Sequence, residues 1–164
     1  MSEQILIVDG YNIIGAWEDL KELKVLDMGS SRDQLISTLA YYTPWHWTRI
    51  IVVFDGQSFD WDYIGGVEIV FTDKRETADT MIERLAAGMV SSYHVEVATS
   101  DFAEYRAASA MGAVVLSAGA LKEKLAEERR KYDRKSGSSR NKGLMLNDIL
   151  NKSVIDSLER LRRS

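Results

Sequence analysis

The sequence contains no cysteine in its 164 residues, one proline, Pro44, and two histidines, His46 and His94. Without cysteine there is no disulfide framework, no thiolate zinc site and no cysteine nucleophile, and a reducing cytoplasm is the expected location. No apolar run approaches the roughly 20 residues that a membrane-spanning helix needs, and the N-terminus, MSEQILIVDG, lacks the basic stretch of a secretory leader. A cytoplasmic protein with no membrane partner is therefore expected. Positive charge is scarce over most of the chain, since residues 1 to 121 hold 8 Lys or Arg against 18 Asp or Glu. Residues 122 to 142 reverse this, with 9 basic against 4 acidic. An acidic body with a basic C-terminal segment suggests two tasks; the basic part either meets a polyanion or is an ordinary solvated helix face.

What is present has the balance of one globular domain with a sizeable core, at 45% hydrophobic and 28% charged residues. Continuous apolar runs at residues 4 to 9 and 49 to 55, rich in Ile and Val, predict strands buried on both faces. Residues 67 to 72, 94 to 100 and 113 to 117 predict three more. Helical spacing is expected between them, over 33 to 42 after Ser30 and Ser31 as N-caps and ending before Pro44, over 77 to 92, and over 101 to 112. Ser117 opens a further helix, expected over 120 to 135. Strand and helix in alternation imply a three-layer α/β/α sandwich with a mainly parallel central sheet, of Rossmann-like type.

Ligands of open parallel sheets bind beyond the carboxyl ends of the strands. Here Asp9 closes the first strand, Asp55 the second, and Asp101 follows the run VEVATS, while Asp79 falls in the first turn of the helix after 67 to 72. Glu76 and Glu83 lie near Asp79 on one helix face. Taken singly, each acid reads as a helix or turn cap, or as a carboxylate favoured by a helix dipole. Converging at one sheet edge, they would repel until some became neutral unless a divalent cation compensated them. Mg²⁺ favours such oxygen ligands, and metal sites of this kind serve phosphodiester displacement.

The stretch VDGYNIIG at 8 to 15 resembles the signature of the NYN domains, nucleases of the PIN-like superfamily, and in particular the YacP-like group. FDG at 54 to 56, ETADTMIER at 76 to 84 and ATSD at 98 to 101 follow in that family's order, so the resemblance spans about residues 4 to 135. It implies a PIN-like fold and a Mg²⁺- or Mn²⁺-dependent endoribonuclease, with mRNA as substrate and the translating ribosome as partner. By the same resemblance Asp9, Asp79 and Asp101 match the acidic metal-binding positions, and Asn12 orients Asp9, a water or the scissile phosphate. Asp55 falls in a family motif with a role more structural than catalytic. Glu76 and Glu104 are expected to supply outer ligands or position a water. With no histidine at these motifs, the base is expected to be water activated by the cation, leaving a 5′-phosphate and a 3′-hydroxyl.

For the RNA, residues 131 to 143 predict a basic loop in which Lys131, Arg134, Lys135, Arg140 and Lys142 contact phosphates and Tyr132 stacks on a base. The alternative is a solvated linker to a final helix over about 144 to 163, whose Leu146, Ile149, Leu150, Val154, Leu158 and Leu161 form an apolar stripe. The segment 58 to 66, with Phe59, Trp61 and Tyr63 among acids, is a second surface candidate. Two rival functions stand beside the nuclease. One is a non-catalytic RNA- or ribosome-binding module of the same fold, and the other a haloacid-dehalogenase-like phosphatase, which would need an acid where Tyr11 stands.

Overall fold

Apolar residues of the central strands alternate between two cores. The computed structural model describes residues 3 to 42, 46 to 135, 154 and 158 to 162. In β1 (Gln4–Asp9), Leu6 and Val8 enter one cluster and Ile5 and Ile7 the other; in β2 (Arg49–Phe54), Ile50, Val52 and Phe54 oppose Ile51 and Val53. Side chains of a strand point alternately to its two faces, so a continuous Ile/Val run requires cover on both. That cover comes from α1 (Gly10–Ala16), α2 (Glu18–Leu26), α3 (Met28–Tyr42) and α6 (Ala118–Lys135) on one face. On the other lie α4 (Ala78–Met89) and α5 (Phe102–Met111).

Strands β3 (Asp60–Ile64), β4 (Val67–Phe71), β5 (His94–Ala98) and β6 (Val114–Leu116) complete a six-stranded sheet of order β3-β4-β2-β1-β5-β6. All pairings are parallel except β3 with β4. The chain leaves β1 first toward β2 and later toward β5, so the switch of direction falls at β1. The α/β/α sandwich expected from the sequence is the fold observed.

Three local differences have physical causes. The hairpin strand β3 was not anticipated: Asp60 and Asp62 alternate with exposed Trp61 and Tyr63, and the turn to β4 rests on Gly65 and Gly66, at φ 58° and 87°. Two successive positive φ values match the strand twist, and glycine adopts them without strain. Ser30 and Ser31 are not N-caps, because α3 begins earlier. Asp27 takes that role, accepting from the Gly29 and Ser30 backbones, and Ser31 instead donates to the Leu20 carbonyl. Lastly, residues 131 to 135, expected both as the end of the helix opened by Ser117 and as the start of the basic loop, are the last turn of α6. No glycine or proline interrupts the chain between Gly119 and Gly137, and the Lys/Arg-rich end suits a helix C-terminus.

The expected final helix falls largely outside the described residues, as do Leu146, Ile149 and Leu150. Of its apolar stripe, Val154 and Leu158 are buried in the cluster under α1, α2, α3 and α6, with Leu161 against it. Arg162 pairs with Asp33 on α3.

Candidate functional site

The carboxyl end of β1 delivers Asp9 to the switch point, and α1 starts at the next residue. Gly10 permits this, since a Cβ there would lie 2.2 Å from the Phe54 ring. Across the sheet edge, Asp55 at the end of β2 accepts the Ala78 backbone N–H at 2.8 Å, and Thr77 caps α4 by accepting from the Thr80 N–H. These two bonds hold the first turn of α4, and with it Asp79, over the end of β1. On the third side Asp101 caps α5, its Oδ1 accepting from the Ala103 and Glu104 backbones.

The outcome is a set of three acids, Asp9, Asp79 and Glu104, whose ligand oxygens lie within 4.8 Å of one another. Asp9 and Glu104 are buried, at 6% and 2% exposure, and Asp79 faces solvent. Thr99 Oγ1 lies between the buried pair, 3.3 Å from Asp9 and 3.4 Å from Glu104. Both contacts are long for a hydroxyl donor and one proton cannot serve both, so neither carboxylate is well satisfied. Glu104 Oε1 is buried without a hydrogen-bond partner among the described residues, and its neighbours, the Asp9 and Asp79 carboxylates, are acceptors like itself.

Electrostatics follow from that crowding. Burial, then the Asp9 and Asp79 carboxylates, push Glu104 up to about 10. Burial also pushes Asp9 up, with Asp79 adding to the rise; Glu104, Thr99 and the Asn12 backbone oppose it. A proton or a cation has to sit among these oxygens. Three oxygen donors, one solvent-facing and one otherwise unpartnered, suit a hard divalent cation such as Mg²⁺ or Mn²⁺.

The remaining expected site residues are distributed around this set. Asn12 Oδ1 accepts the Ser100 backbone N–H at 2.7 Å, while Ser100 Oγ accepts from the Ala118 backbone. The Ala118 carbonyl in turn accepts from the Trp17 indole, so the β5–α5 turn is tied to both α1 and α6. Asp101, expected beside Asp9 and Asp79, lies at the α5 cap and is not one of the three clustered acids; Glu104, expected further out, is. Glu76 is held by two hydrogen bonds from Arg84.

Two residues were not singled out from sequence. Thr99 is one. Arg32 is the other: it donates to the Tyr11 hydroxyl at 3.1 Å and lies over the Phe71 ring, placing a cation on the same sheet edge. Tyr11 itself packs on Phe54, 5.0 Å between centroids, where the phosphatase reading required an acid. Glu104 was within reach of sequence reasoning. Asp101 and Glu104 have the cap-x-x-Glu spacing of a capping box, yet the Asp101 backbone N–H is taken by Thr99, leaving the glutamate to turn toward the sheet.

The histidines are remote from this edge. His94 opens β5 at its amino end, and His46 precedes β2, edge-on to Trp47. Among the expected RNA contacts, Lys131 pairs with Glu128, and Tyr132 packs edge-to-face on Tyr41. Arg134 and Lys135 are exposed in the last turn of α6; Arg140 and Lys142 lie outside the described residues. Phe59, Trp61 and Tyr63 stand exposed on or beside the edge strand β3, remote from β1 and β5, with the Trp61 indole bonded to Glu68. No helix among the described residues is long and apolar enough to cross a membrane.

A mainly parallel α/β sandwich with a half-buried carboxylate set at the switch point defines the class. Within it, the chain belongs to the YacP-like NYN domain family, which it matches over residues 6 to 163, a family of PIN-like nucleases. It is 35% identical over 169 aligned residues to the uncharacterized protein YacP of Bacillus subtilis (strain 168), covering 97% of this chain and 96% of that one. The crystal structure of Rae1 (YacP) from Bacillus subtilis superposes with a TM-score of 0.70 at 35% identity, covering 98% of this chain and 95% of that one. A mutant form of the same protein gives 0.69 at 37% identity, with the same coverage.

Proposed function

We propose that this protein is a divalent-cation-dependent endoribonuclease of the cytoplasm that cleaves mRNA in association with the translating ribosome. The observation that carries the cation-dependent reading is Glu104 Oε1, buried, unpartnered and facing two other carboxylates. A non-catalytic module would gain nothing from keeping such a set together, because each uncompensated buried acid costs stability.

Asp9, Asp79 and Glu104 would hold Mg²⁺ or Mn²⁺, with Glu104 taking the place that sequence reasoning gave to Asp101. When bound, the ion supplies charge neutralisation, activation of water and polarisation of the phosphate. The chain's own residues do the positioning. Asp101 fixes α5 so that Glu104 faces Asp9, Asn12 holds the turn that carries Thr99, and Asp55 anchors the helix that carries Asp79. Arg32 offers its guanidinium to a phosphate on the rim, a role its planar donor fork suits. Attack of water on phosphorus with departure of the 3′ oxygen leaves a 5′-phosphate and a 3′-hydroxyl.

The test compares wild type with Asp79→Asn, with Mg²⁺ or Mn²⁺, on an mRNA supplied naked and during reconstituted translation, and maps new 5′ ends. Cleavage by wild type alone is expected, and the two substrates together report whether the ribosome is needed. Equal cleavage by a folded Asp79→Asn protein would remove the acid set from the mechanism. No cleavage of either substrate by wild type would sink the nuclease reading.

A further inference from the structure

Helix α5 presents two unlike faces. Glu104 and Ala108, one turn apart, point inward, Glu104 into the acid set. Phe102 and Tyr105 point outward, at 72% and 49% exposure. Their rings are parallel to within 3°, with centroids 6.5 Å apart, and the Arg106 guanidinium lies 5.9 Å from the centre of the Phe102 ring. Positions 102, 105 and 106 are neighbours on the helix surface, so two aromatics and one cation form a single patch. A phenylalanine so exposed, in the first turn beside the candidate centre, contributes nothing to either core.

We infer that Phe102 and Tyr105 form a stacking platform for a nucleobase of the single-stranded RNA whose phosphate reaches the Asp9, Asp79 and Glu104 set, an inference that rests on the nuclease reading. The patch lies on the first two turns of α5, the helix that carries Glu104 and is about 10 Å across with its side chains, so a strand that enters the acid set past this end of α5 can bring a base a few nucleotides away onto the patch. A base suits the patch because stacking needs no net positive charge, and residues 1 to 121 of this chain are strongly acidic. Arg106 adds the positive charge that a phosphate beside the stacked base requires, and the N-terminus of α5 favours an anion at the same end.

The test is binding of a single-stranded RNA oligonucleotide carrying one 2-aminopurine, followed by anisotropy and by quenching of the 2-aminopurine as it stacks. All variants are made in the full chain with Asp79→Asn, so that binding is read without cleavage. Phe102→Ala is expected to raise Kd by roughly 5- to 150-fold and abolish quenching. Phe102→Trp should restore both, and an abasic site in place of the 2-aminopurine should make Phe102→Ala without effect. Both substitutions are at the surface, and an unchanged melting temperature checks the fold. Equal Kd and equal quenching with and without Phe102 and Tyr105 would overturn the platform while leaving the nuclease intact, and would move the aromatic pair to a protein contact. Failure of the RNA to bind at all would overturn it too. The nuclease reading fails separately, by absence of cleavage in the wild type.

Discussion

Asn12 and Ser100 are 88 positions apart in sequence and joined by a 2.7 Å hydrogen bond, the Ser100 backbone N–H donating to the Asn12 side-chain oxygen. The side chain of the asparagine therefore fixes the turn from which Thr99 and Glu104 approach Asp9. Replacing it by alanine leaves a peptide N–H without its acceptor.

Asn12→Ala is expected to cost about 0.5–1.5 kcal/mol of stability and to weaken the response to Mn²⁺ more than the loss of fold accounts for. Chemical denaturation with and without Mn²⁺ checks this. Asn12→Asp, which keeps an acceptor in place, should retain most of the stability. If both variants melt and bind Mn²⁺ as wild type does, the tie between α1 and the β5–α5 turn has no energetic weight.

Asp55 and Asp79 carry the same charge at one sheet edge and serve different ends. Asp55 Oδ1 accepts from the first residue of α4, a task an amide oxygen performs nearly as well. Asp55→Asn should keep cleavage and Mn²⁺ stabilisation within a few-fold of wild type, whereas Asp79→Asn should lose both. Asp55→Ala should cost about 1 kcal/mol through the lost bond at the helix start. Cleavage assays and melting curves on the three variants separate anchor from ligand. Equal losses for Asp55→Asn and Asp79→Asn would place both carboxylates at the cation.

The parts legible in the sequence are those where one physical requirement fixes the residue type. Residues 5 to 8 and 50 to 53 had to be Ile, Leu or Val because helices cover both faces of the central strands. Strand β3 lacks that constraint, with one neighbour and exposed side chains, so its Asp-Trp-Asp-Tyr pattern looks like a loop. The acids at the sheet edge were legible as a group and less so one by one. Whether Asp101 or Glu104 turns inward depends on which of them takes the helix cap, a choice made by backbone geometry and by Thr99 occupying the Asp101 N–H.

Gly10 is the residue on which the approach of Asp9 depends. An added methyl group would sit 2.2 to 2.9 Å from three atoms of the Phe54 ring, which is itself stacked on Phe71. Gly10→Ala is expected to destabilise the protein by about 1–3 kcal/mol, as overpacking of a filled core does. Cleavage should fall along with stability, because the strain arises next to Asp9. Phe54→Leu, which clears the space, should recover part of the stability in the double variant. Additive losses in urea unfolding of the single and double variants would show that the two residues do not meet.

Glu104 makes stability depend on pH in a direction opposite to that of an ordinary paired carboxylate. Its folded value of about 10 lies above the usual 4.5, so the folded state holds a proton that the unfolded chain releases. The metal-free protein should thus be stabilised by this group below about pH 4.5 and lose that contribution progressively as the pH rises toward 10. Asp9, also pushed up by burial, acts with the same sign. Glu104→Gln replaces the protonated acid by a neutral amide, and its stability should depend less on pH across that range. A divalent ion competes with the proton, so stabilisation of the wild type by Mn²⁺ should grow with pH while that of Glu104→Gln stays small. Melting temperatures of both proteins at several pH values, with chelator and with Mn²⁺, decide the matter. Parallel pH profiles for the two proteins would mean that Glu104 is ionised in the folded state and that the acid set is not short of a cation.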